Sequence, residues 1–257
     1  MLLASFPAFG QATADRVTVP FSDPSRPGQV KVSLINGSIT VKAYNGKEVI
    51  IEARSKGRDS EESREGLRRI PILATGIEAE EENNVITIGT GGPQRTVDLD
   101  IQVPVRTSLK LSTINGGQIL VEGVRGELEV KNINGAVTLN KVAGSAVAHA
   151  LNGRILATFT EVDPKPMSFS SMNGQIDVTF PADLKATLKL KSEHGEVYSD
   201  FDIAVKQAAQ PIVEDAKGDR GKYRVRVDRT VHGVVNGGGP EIQFSNFNGS
   251  IYIRKAK

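Results

Sequence analysis

Residues 128–144 read Leu-Glu-Val-Lys-Asn-Ile-Asn-Gly-Ala-Val-Thr-Leu-Asn-Lys-Val-Ala-Gly. Around the Asn134-Gly135 dipeptide apolar and polar residues alternate, with Leu128 and Val130 before it and Val137 and Leu139 after it. A period of two marks half-buried strands, and segments this short, β-branched and punctuated by glycine do not support helices.

The same template recurs along the chain. Val30, Val32, Ile39 and Val41 surround Asn36; Met167, Phe169, Ile176 and Val178 surround Asn173; Ile242, Phe244, Ile251 and Ile253 surround Asn248. Asn115 and Asn152 centre two further copies, and His194-Gly195 occupies the same slot. The Asn152 copy has the small Ala146 and Ala148 in its leading strand, and after Asn115 an extra Gly117 shifts the trailing pair to Ile119 and Val121. The residue before the asparagine is also apolar: Ile35, Ile114, Ile133, Leu151, Met172 and Phe247. Slots at 115, 134, 152, 173 and 194 set a unit of about twenty residues, with a second turn midway at 124–126, 142–144, 163–166 and 181–183. Each unit is therefore two short strands and two turns.

Two architectures satisfy this template. In a two-residue hairpin Asn-Gly supplies both positive φ angles of a type I′ turn and pairs Val130 with Leu139. In a β-solenoid each unit is one coil, and Asn115, Asn134, Asn152 and Asn173 stack into an amide ladder. Recurrence of one residue type at one slot favours the all-β solenoid; the hairpin-rich twisted sheet is the alternative.

Outside 109–201 the pattern loosens. Asn83-Asn84 before Ile86 and Ile88 reads as a degenerate copy, and Val97, Leu99, Ile101 and Val103 as a strand ended by Pro104. A charged insertion at 57–71 suits a short helix or loop, the run Glu78, Glu80, Glu81 and Glu82 a solvated turn, and 204–221 a second insertion.

Composition supports one repetitive domain over 15–257. The chain has 257 residues, of which 39% are hydrophobic, 26 are glycine and none is Trp or Cys, so disulfides and zinc-thiolate sites are excluded and the core falls to Val, Ile and Leu. A net charge of +2 gives no field for nucleic acid. Residues 1–14 are uncharged and end in small residues, as the remnant of a secretory signal peptide does, with mature starts at Thr13 or Asp15. No later segment reaches the ~20 apolar residues of a membrane span.

The units at 128–144 and at Ser170-Ser-Met-Asn-Gly-Gln-Ile-Asp-Val178 resemble an adhesin-like family of unknown function, the DUF4097 or toast-rack type. The resemblance covers about Val30 to Ile253, and it implies an exported or envelope-associated bacterial β-repeat protein with no known enzymatic role.

No phosphate loop, dinucleotide fingerprint or nucleophile elbow is present. Glu193, His194 and Glu196 around one turn are the only histidine–acid grouping that invites a metal, and their solvated setting argues against one. Asp98 and Asp100 share a strand face, as acidic residues of β-helix carbohydrate enzymes do, although a solvated face explains them as well. Arg224 and Arg226 alternate with apolar residues, and with Arg229 nearby they form a candidate face for anionic glycan or phosphate. The expectation is a non-enzymatic module with no cofactor, whose partners are glycan, peptidoglycan or an envelope protein and whose ends allow end-to-end self-association. A carbohydrate-active enzyme and a stress-sensing scaffold are the competing readings.

Overall fold

The computed structural model describes residues 14–55, 75–90, 96–206, 211–214, 224–227 and 230–257. Most of the N-terminal leader-like segment and the insertion at 57–71 lie outside these residues. The described elements are all strands. In chain order they are β1 (Ala14–Pro20), β2 (Gly28–Asn36), β3 (Ile39–Tyr44), β4 (Glu48–Ser55), β5 (Ile77–Glu82), β6 (Val85–Thr90), β7 (Val97–Pro104), β8 (Thr107–Asn115), β9 (Ile119–Glu122), β10 (Arg125–Asn134) and β11 (Val137–Asn152). There follow β12 (Ile155–Val162), β13 (Met167–Asn173), β14 (Ile176–Phe180), β15 (Ala186–His194), β16 (Val197–Ser199), β17 (Ile203–Lys206), β18 (Pro211–Glu214), β19 (Arg224–Val227), β20 (Val231–Val235), β21 (Glu241–Asn248) and β22 (Ile251–Lys255).

Strands leading into the asparagine slot pair with one another, and so do strands leaving it. The first ladder runs β5-β6-β2-β8-β10-β11-β13-β21-β15-β20-β17. The second runs β1-β4-β7-β3-β9-β11-β12-β14-β22-β16. The long β11 bends at the second turn and serves both, its first half beside β9 and β12 and its second beside β10 and β13. Slot strands pair in parallel, whereas the outer strands β5, β20 and β17 of the first ladder and β1 and β4 of the second pair antiparallel. Val130 lies opposite Leu111 and Ala148, not opposite Leu139, so the Asn-Gly dipeptides do not close hairpins.

The reason for glycine at most slots differs from the sequence reading, although Gly37 and Gly249 do adopt positive φ, at 126° and 128°. None of the slot asparagines is among the positive-φ residues, so the dipeptide is not a type I′ turn. A Cβ on Gly135 would instead lie 2.0 Å from the carbonyl oxygen of Gly117, and one on Gly153 2.1 Å from that of Gly135. Backbones of successive units touch at this corner, and any side chain would wedge them apart. In the Asn115 copy Gly117 fills this contact, 1.8 Å by the same measure from Gly37, and Gly116 at φ +72° is the inserted residue. A true two-residue hairpin occurs elsewhere: Asn83 and Asn84, at φ 54° and 66°, join β5 to β6 and are not a slot copy. The acidic run accordingly forms edge strand β5 and not a turn.

Inward residues of both ladders form one core. Val, Ile and Leu fill most of it, but the later units add Phe159, Phe169, Phe180 and Phe244, with Phe159 stacked on Phe180 and Phe169 on Phe244 at 5.3 Å between centroids. Buried Asn132 and Asn246 turn inward beside the slot and donate from Nδ2 to the Gly117 and Gly174 carbonyls, both at 2.8 Å, satisfying corner acceptors that the ladders leave over.

The spatial order of the slots is 36, 115, 134, 152, 173, 248 and 194. The unit around Asn248 thus enters between those of Asn173 and His194, although it follows both in sequence.

Candidate functional site

Along the slot corner the exposed amides bond in one direction. Asn152 Nδ2 donates to Asn134 Oδ1 at 2.9 Å, Asn173 to Asn152 and Asn248 to Asn173 at 2.8 Å, and Asn134 to Asn115 at 3.5 Å. Asn36 stands in register with Asn115 at one end, and His194 follows Asn248 at the other with its ring edge-on to Phe247, 5.2 Å between centroids.

The carboxylates marked in the sequence do not converge. Asp98 accepts from the Ser38 amide at 2.9 Å, while Asp100 is held by Arg54. Glu193 pairs with Lys191 at 3.3 Å, Glu196 takes the Tyr198 hydroxyl, and His194 leans on Phe247, so these three point to separate partners. His149 Nδ1 lies 2.8 Å from Ser170 Oγ across β11 and β13; burial, and then Lys131, lower its pKa and keep the ring neutral. The backbone of Arg224 and Arg226 belongs to β19, which pairs antiparallel with β18 in a separate two-stranded sheet. Their side chains, and Arg229, lie outside the described residues.

The outward face of the second ladder carries a group that sequence reading missed. On the last two strands, β22 and β16, Tyr252 and Tyr198 lie in register, and their rings stack at 5.1 Å and 14°. Tyr198 is 48% exposed, on a strand whose other edge has no partner strand among the described residues. Arg254 lies 5.2 Å from the Tyr252 ring centroid and grips Asp177 through Nε at 2.7 Å and Nη2 at 2.9 Å, which raises the guanidinium pKa. Gln175 reaches the same carboxylate at 3.3 Å. Glu196 accepts the Tyr198 hydroxyl and pushes its pKa up, so the phenol stays protonated. The result is an aromatic platform rimmed by an amide, a fixed guanidinium and two carboxylates. Its only sequence signal was an isolated Tyr in each of two distant copies.

Two concavities accompany it. A cleft of about 520 Å³ opens at the second turns between Met167, Pro181, Leu184 and Pro240, with Asp163, Asp183 and the Arg125-paired Glu161 also in its lining, and a shallower one of about 340 Å³ lies on the first ladder between His149, Met172 and Phe247. Among the described residues no group of three or more His, Asp or Glu is placed to hold a metal ion, and no helix is long and apolar enough to cross a membrane.

Solved structures similar to this chain include a "putative cell adhesion protein" of Clostridium sporogenes, at 11% identity and a TM-score of 0.41 over 95% of this chain and 100% of that one. Another is a "putative adhesin" of Bacteroides fragilis, at 11% identity and a TM-score of 0.37 over 95% of this chain and 97% of that one. No curated protein matches the chain. The family model described as Toastrack DUF4097 matches residues 17–236, and the chain belongs to that family.

Proposed function

We propose that the protein is a non-enzymatic, adhesin-like module of the bacterial envelope, a solenoid that holds a surface glycan against the Tyr198–Tyr252 platform. The stacked tyrosine pair, of which Tyr198 is exposed and Tyr252 half-buried, carries this reading. The face of the Tyr198 ring turned away from Tyr252 offers a flat apolar surface to the C–H face of a sugar, while Arg254, Gln175 and Glu196 supply donors and acceptors for its hydroxyls. Each charged group is already held by a protein neighbour, so little side-chain freedom is lost on binding. At the platform the carboxylates also speak for binding: a glycosidase needs two acids facing one bond, and Asp177 and Glu196 each face a protein donor instead.

The test is binding of the purified chain to arrayed glycans and peptidoglycan fragments, with hydrolase and lyase assays on every polymer bound. Retention of a glycan, weakened about tenfold by Tyr198→Ala, is expected from the loss of one aromatic contact. Failure to retain any glycan or peptidoglycan fragment would overturn the glycan assignment, and turnover abolished by Asp98→Asn or Asp100→Asn would overturn the non-enzymatic reading.

A further inference from the structure

The outward face of the first ladder is organised in columns. Nearest the slot corner stand Ile35, Ile114, Ile133, Leu151, Met172 and Phe247, one per strand from β2 to β21, and four of them (Ile35, Ile114, Met172 and Phe247) are 39–45% exposed. At the strand spacing of ~4.8 Å this single file is about 24 Å long. Two residues back is a column of mostly small polar groups: Ser33, Ser112, Lys131, His149, Ser170 and Ser245. Exposed apolar side chains arranged in one line need an occupant, and charge at the two ends of the line indicates which.

Beyond Ile35 the face ends in β5, whose exposed Glu78 and Glu80 have no ion-pair partner among the described residues. Beyond Phe247 come β15, with Lys189 and with Lys191 already paired to Glu193 at 3.3 Å, then β20 with His232 and the edge strand β17. Register sets the heights. Glu80 is level with Thr87 and Lys31, five residues before slot 36, and Glu78 stands two residues nearer the slot; Lys189 and Lys191 stand five and three residues before slot 194.

We propose that this face is the interface of a homodimer, closed by a two-fold axis that lies parallel to the strands and passes between β10 and β11. Such an axis reverses the order of strands but preserves height along them. It therefore lays the apolar file of one copy on that of its partner, Ile35 against Phe247, Ile114 against Met172 and Ile133 against Leu151. The same operation brings the β5 glutamates of each copy to the β15–β20 end of the other, Glu80 at the height of Lys189 and Glu78 at that of Lys191. Serines in the next column let the sheets approach as aligned sheets do. At the centre Lys131 meets His149, whose ring burial keeps neutral, so no like charges oppose there. Ten strands at ~4.8 Å by five residues at ~3.3 Å give roughly 800 Å² per copy, about the ~800 Å² per partner of a standard interface. The tyrosine platforms, on the second ladder, stay outside the contact, and a dimer carries two of them, so that modest single-site affinity becomes avidity.

Sedimentation velocity of the full chain across micromolar concentrations tests this. A monomer–dimer equilibrium is expected. Ile114→Lys should abolish it, and Glu78→Lys with Glu80→Lys should weaken it about tenfold, as should Lys189→Glu with Lys191→Glu. All four reversals in one chain should restore the dimer, a result that misfolding cannot produce. A chain that stays monomeric at 200 μM or more, on the order of ten times a micromolar-range dissociation constant, would overturn the proposal. So would an open-ended series of oligomers, the mark of end-to-end stacking, or a quadruple variant no better than its parents.

Discussion

The unit around Asn134 and the unit around Asn248 follow one template, yet they enter the structure differently. Asn134 lies between Asn115 and Asn152, its neighbours in sequence, whereas Asn248 lies between Asn173 and His194, which precede it by 75 and 54 residues. Locally the two corners are alike: each asparagine bonds to the slot before it, and each unit has a buried asparagine turned to a corner carbonyl. The geometry of a corner is therefore set by residues within a unit, and the choice of neighbours by how well whole units fit.

Removing the intercalated unit breaks this comparison most severely. Deleting residues 241–257 takes away Ile242, Phe244, Ile251 and Ile253, all buried. At ~1.5–3 kcal/mol each, the loss is on the order of 6–12 kcal/mol, comparable with the whole stability of a domain. No cooperative melt should remain by circular dichroism. A cooperative transition in the shortened chain would mean that the His194 unit docks directly on that of Asn173.

A smaller effect should come from Gly153→Ala, which would place a methyl group 2.1 Å from the Gly135 carbonyl oxygen if nothing moved. Opening that corner should cost about 3 kcal/mol in urea unfolding, within the range of overpacked cores. Gly116→Ala, with open space around it but φ +72°, should cost only about 1 kcal/mol. Equal losses would return the glycines to an ordinary turn role.

The third effect concerns the amides. Asn134→Ala should cost about 1–3 kcal/mol in the same assay, because it removes an acceptor 2.9 Å from Asn152 and a donor to Asn115. Asn36→Ala, with one asparagine neighbour in register, should cost less. Identical losses would show that the amides act singly and not as a row.

Burial was legible in the residues flanking each slot, because alternation decides which side chains enter the core. Unit order was not, since the Asn173, Asn248 and His194 copies present the same local signal. One clue to order was present. The His194 copy is the least apolar, with Glu193 before the slot and Val197 and Ser199 after it, all three on strands near the end of a ladder. A unit with a polar-tempered outer side suits an end position. Because Tyr198 and Tyr252 meet only through the reversed order, their platform was hidden for the same reason. At the glycine slot a close backbone approach and a positive φ leave the same mark in a sequence: Gly135 and Gly153 answer to the first, whereas Gly37 and Gly249, at φ +126° and +128°, combine both.

Reversed order also sets a schedule for synthesis. A ribosome adds roughly 5–20 residues per second, so the His194 unit exists for several seconds before the segment that belongs beside it. During that interval β13 and β14 present an unpaired edge, and β15 offers it a compatible template. Docked there, the early unit would satisfy most local contacts and block the late one, which makes the premature pairing a kinetic trap encoded by the repeat itself. Folding of this chain is therefore completed only after residues 241–255 are made and enter between the two earlier units.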